Sequence, residues 1–105
     1  MNYDEFYKEI KGIAEGLMRI YELKYEIMKP EVMDIINNRS KNKKRIEACL
    51  DETLDIPTDK GFELHSLLCS YYYLIDRKSA LFYMNSYNEF WNDEEDDLGW
   101  KHIKK

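Results

Sequence analysis

Between residues 3 and 29 large apolar side chains recur at three- and four-residue steps: Phe6, Ile10, Ile13, Leu17, Ile20 and Ile27. Only an α-helix puts residues so spaced on one side, so this segment is predicted to be one long amphipathic helix with that stripe buried. Tyr3, Tyr7, Ala14, Tyr21 and Met28 widen the stripe on one flank. Gly12 and Gly16, four apart, each weaken a helix by about 1 kcal/mol relative to alanine, and they let a neighbouring helix come close. The helix is expected to end or kink at Lys29, because Pro30 disfavours the α conformation in the residue before it.

A helix of that length needs others to cover it. Pro30 suits the first position of a short second helix, residues 31 to 36, with Val32, Ile35 and Ile36 inward. Asn37-Asn38-Arg39-Ser40 signals a turn. A third helix follows to about Asp55, with Ile46, Cys49, Leu50, Thr53 and Leu54 on one face. Ile56-Pro57-Thr58-Asp59 breaks it, and Thr58 or Asp59 can cap a fourth helix whose stripe is Phe62, His65, Leu68, Cys69, Tyr72 and Ile75. Asp76 can cap a fifth, residues 77 to 91, burying Leu81, Met84, Tyr87 and Trp91. Connections this short make neighbours antiparallel. The expected architecture is an all-α, compact antiparallel bundle of four to five helices, one domain over residues 1–91. Residues 92–105, acidic and then basic, are expected to be a mobile tail unless Leu98 and Trp100 dock.

Only 4 glycines and 2 prolines in 105 residues agree with a helical chain. The start lacks the basic and apolar run of a signal peptide, and no segment approaches the roughly 20 apolar residues that span a membrane. A cytoplasmic protein without a membrane partner is expected.

The formal charge of −5 is unevenly spread. Arg39, Lys41, Lys43, Lys44 and Arg45 give residues 31–45 a local net of +3, at a helix start where cations oppose the dipole and an anion would relieve them. Residues 46–76 carry a net of −6, with Glu47, Asp51 and Asp55 repeating every four residues. With Asp93, Glu94 and Glu95 of the tail they form a candidate acidic surface for a basic partner. A solubilising loop and an ordinary solvated face account for the same two features. The acidic total disfavours direct nucleic-acid binding.

His65 and Cys69 share a helical face, and Cys49 on the preceding helix can approach them, giving a weak candidate metal cluster of three soft ligands. As stripe residues, all three are equally explained by the core. No phosphate loop, H-E-x-x-H or G-x-S-x-G occurs, and the paired glutamates Glu5/Glu9 and Glu22/Glu26 alternate with basic residues as on a solvated face. No cofactor is expected and no catalytic residue is assigned.

Tyrosine is the remaining signal. Five of the 9 tyrosines lie between residues 71 and 87, more aromatic surface than one helical hairpin buries against itself. Tyr71, Tyr73, Tyr83, Phe90 and Trp91 are the candidate partner-binding aromatics. The runs Leu50 to Asp55, Leu67 to Tyr73 and Tyr83 to Trp91 resemble small uncharacterised all-helical proteins of low-GC bacterial mobile elements, over the C-terminal half of the chain. That resemblance implies no activity. The expected function is a non-catalytic protein-binding or adaptor module using its aromatic surface, with a protein partner or a second copy in a homodimer. The alternatives are an acidic, mobile-element-encoded inhibitor of a nucleic-acid-binding protein and a metal-binding protein.

Overall fold

Each helix begins where a side chain takes up the free N–H groups of its first turn. Asn2 accepts from the Glu5 N–H at 2.9 Å, Asn42 from Arg45 at 3.2 Å, Thr58 from Gly61 at 3.0 Å and Asp76 from Ser79 at 3.1 Å. The computed structural model describes residues 2–97, with side chains described to residue 91. Its helices are α1 (Tyr3–Asn37), α2 (Lys43–Leu54), α3 (Asp59–Tyr73) and α4 (Arg77–Asp97), and no strand occurs among the described residues. None of these helices is long and apolar enough to cross a membrane.

The expected break at Pro30 is absent. α1 runs through it, so the short second helix is the end of the first and the described residues form four helices, the lower of the four to five expected. Pro30 is exposed, on the side away from buried Met28, Val32 and Ile35, so water can satisfy the carbonyl its ring leaves without a donor. Packing on both sides of the proline overrides its local preference. α1 stops instead at Arg39, whose φ of 52° is left-handed. The Arg39 and Ser40 N–H groups close the last turn onto the Ile36 and Ile35 carbonyls at 3.1 and 2.9 Å.

α2 runs back along α1. Lys24 meets Glu52 and Asp55 at 3.1 and 3.3 Å, while Arg45 meets Glu31 and Asp34 at 3.0 and 2.7 Å. α3 packs on both, and α4 lies on α3, touches α2 and makes no contact with α1 among the described residues. The core is Met28, Val32 and Ile35 from α1, Ile46, Cys49 and Leu50 from α2, Ile56 from the turn, Leu64, Leu68, Cys69 and Tyr72 from α3, and Ala80 from α4. Gly61 lets the α2–α3 turn close: a Cβ there would sit 2.2 Å from the Ile56 carbonyl oxygen.

The stripe that best announced α1 is not in this core. Phe6, Ile10, Ile13, Leu17, Ile20 and Ile27 are all exposed, Ile13 at 68%, whereas Val32 and Ile35 are at 0%. The reason is length. At about 1.5 Å per residue α1 spans about 52 Å, against about 18 Å for α2 and about 22 Å for α3. The N-terminal half of α1 therefore stands clear of the other helices, outside the compact arrangement expected. Phe62 and Leu81 are also exposed rather than buried. α4 continues helically through residues 92–97, which had been assigned to the tail. The side chains of Asp93, Glu94 and Glu95, and the expected docking of Leu98 and Trp100, lie outside the described residues.

Candidate functional site

The cysteine–histidine cluster resolves into a brace. His65 is fully buried. Its Nε2 lies 3.0 Å from the Tyr83 carbonyl, which can only accept, so Nε2 carries the proton. Nδ1, 2.7 Å from the Thr53 hydroxyl, then accepts from it. One ring thus ties α2, α3 and α4 together, stacked 4.9 Å from Tyr87. Burial lowers the His65 pKa, opposed by the bond to Tyr83. The same burial pushes the Cys69 thiol up to about 12 and raises Cys49, so neither is a ready thiolate. Both cysteines are free, and no group of three or more His, Cys, Asp or Glu side chains placed to hold a metal occurs among the described residues.

Much of the charge predicted to face partners is spent inside the fold. Of the basic run, Lys43 pairs with Asp76 at 2.7 Å, and Arg45 bridges Glu31 and Asp34. Arg39, Lys41 and Lys44 are exposed. The Lys43 bond and the Ser79 donors hold Asp76 down at about 2. On the acidic row Glu47 accepts from the Tyr72 hydroxyl at 2.5 Å, and Asp55 takes Lys24. Asp51 and Glu47 add to the burial that raises Tyr83 to about 12.

The five candidate aromatics do not form one surface. Tyr71 donates its hydroxyl to the Ser40 carbonyl at 2.7 Å, tying α3 to the end of α1. Trp91 donates its indole N–H to the Leu54 carbonyl at 2.7 Å, and Phe90 stands exposed beside it, edge-on at 4.8 Å. Tyr83 packs on the core and edge-on to Phe82 at 5.5 Å. Tyr73, under Arg77 at 5.5 Å, borders an apolar groove, a cleft of about 350 Å³ with Leu81 and Met84, while Trp91 and Tyr83 line separate clefts.

A larger surface lies on α1. Ten large hydrophobic side chains between residues 3 and 27 are exposed, Phe6 at 54% and Ile20 at 60% among them. Six of them, Tyr3, Phe6, Ile10, Ile13, Leu17 and Ile20, keep a strict alternation of three- and four-residue steps, and Asp4, Lys8, Lys11, Glu15 and Arg19 occupy the opposite arc. Nothing lies within 4 Å of where a Cβ of Gly12 or Gly16 would be. The stripe was visible in the sequence, but its exposure was not. The signal that could have found it is the mismatch between one 35-residue helix and partners of 12 and 15 residues. Where α1 meets the α2–α3 turn, Met18, Glu22, Tyr25, Pro57, Thr58 and Lys60 enclose a cleft of about 620 Å³.

No protein-family model matches this chain, and no curated protein or solved structure is similar to it.

Proposed function

We propose that this chain is a non-catalytic protein-binding module, a small helical bundle that presents the free half of α1 as its contact surface. The observation that carries the reading is the continuous apolar face from Tyr3 to Ile20, exposed along its whole length. Monomers seldom expose contiguous apolar patches above roughly 300–600 Å², and this face exceeds that. Binding thus shifts from the α3–α4 aromatics to α1, with the Tyr73 groove as a smaller second contact. The acidic-inhibitor reading has less support, because Asp55 is paired with Lys24 and Glu47 is half-buried under the Tyr72 hydroxyl.

A photoactivatable side chain at Ile10 tests this, with one at Lys8 on the polar arc as control. Protein adducts in high salt, formed at Ile10 and not at Lys8, are the expected outcome, since apolar docking is insensitive to screening. Equal labelling at both positions, or none at Ile10, removes the reading.

A further inference from the structure

We propose that the free half of α1 is covered by a second copy of this chain, the two helices running antiparallel. This rests on the reading of that face as a protein-binding surface and names its occupant. Three observations carry it.

The first is size. Eight large apolar side chains between residues 3 and 20, each with roughly half its surface exposed, present on the order of 800 Å², comparable to the roughly 800 Å² per partner in a standard stable interface.

The second is register. The spacing from Tyr3 to Ile20 is that of a seam between two supercoiled helices, and the next seam position is Lys24, already held by Glu52 and Asp55. The seam ends where the body of the protein begins. Laid antiparallel on a copy of itself it pairs fully: Tyr3 with the partner's Ile20, Phe6 with the partner's Leu17, Ile10 with the partner's Ile13. On one flank Tyr7 falls over the partner's Ala14. On the other Glu9 falls beside the partner's Gly16, twice per dimer. Gly16, with nothing within 4 Å of where its Cβ would be, thus leaves that flank open to a close neighbour.

The third is room. Buried Met28, Val32 and Ile35 lie on the side of α1 that carries the free stripe, so α2 and α3 occupy the space in line with any helix laid on that stripe. A parallel partner would run on into α2 and α3. An antiparallel one runs outward, away from them. The chain's own residues 98–105 offer only Leu98, Trp100 and Ile103 as large apolar side chains, too few to cover eight.

Sedimentation mass of the full chain is the test, with nitroxide labels at Asp4→Cys to give orientation, the native cysteines being buried. The expected result is twice the 12.8 kDa chain mass, reduced to one chain by Ile13→Glu and unchanged by Glu15→Lys on the polar arc. Asp4 lies level with the partner's Arg19, so the two labels should be separated by about 23 Å along the axis. A dimer that survives Ile13→Glu, or labels side by side, overturns the proposal. A monomer whose residues 3–20 exchange amide hydrogens rapidly overturns it while leaving the face open to another protein. A monomer whose residues 3–20 exchange slowly until Trp100→Glu is introduced overturns both readings, because the tail then covers the face.

Discussion

The two halves of α1 carry similar apolar side chains at similar spacing and meet opposite fates. Residues 21–37 supply Met28, Val32 and Ile35 to the core, while residues 3–20 leave Phe6, Ile10, Ile13, Leu17 and Ile20 in water. Amphipathic spacing states that a face is built for burial and is silent about what buries it. That is decided by the length of chain available to lie alongside, and here the available helices run out near Lys24.

The sharpest way to break this contrast is to truncate one side chain in each half. Ile35→Ala should cost about 2–5 kcal/mol, through lost transfer energy and the cavity left behind. Ile13→Ala, measured by urea denaturation at a dilution where the chain is monomeric, should cost under about 0.5 kcal/mol, as for other exposed sites. Equal losses would mean that the free half is packed after all. In the helices that cover residues 21–37, Gly61→Ala should cost about 1–3 kcal/mol or more, since its methyl group would meet the Ile56 backbone, which cannot rotate away as a side chain can.

Much of the covered half was legible beforehand. The α2 face of Ile46, Cys49, Leu50 and Thr53, the α3 positions His65, Leu68, Cys69 and Tyr72, and the caps Thr58 and Asp76 all follow from spacing and capping chemistry, and each is in place. Continuity through Pro30 was not legible, because a local rule was overruled by contacts on both sides of it. Nor was the candidate surface. Tyr71 and Trp91 read as partner-facing aromatics, yet their donors reach the Ser40 and Leu54 carbonyls, 31 and 37 residues away in the chain. A polar tip that finds a backbone acceptor inside the fold cannot be told by composition from one that faces a partner.

The covered half should also be the pH-sensitive one. Unfolded, His65 takes up a proton near its ordinary value of 6.5; folded, burial keeps its pKa lower. Between the two values the unfolded state binds more protons. His65's contribution to stability is therefore complete above pH 6.5 and declines as pH falls below it. Urea midpoints at pH 7.5 and 5.5 should differ in that direction, and a neutral His65→Gln variant should narrow the gap. A second window lies lower. Asp76, held at about 2, supports the fold above its ordinary 3.8 and loses that support as pH falls toward 2.

The smallest effect is expected at the point where α1 ends. Arg39 occupies the left-handed position that closes the helix, a conformation in which a side chain with a Cβ is crowded by about 1 kcal/mol and glycine is not. Glycine also has more freedom to lose on folding, which offsets part of the relief. Arg39→Gly should therefore raise stability by about 0.5 kcal/mol, read as a small upward shift in the urea midpoint. The same substitution removes one cation of the exposed basic run. A gain measured at low salt and unchanged at high salt assigns it to the backbone. A gain that vanishes with salt would assign it to relief of repulsion with Lys41 and Lys44, making the turn an electrostatic feature of the covered half rather than a geometric one.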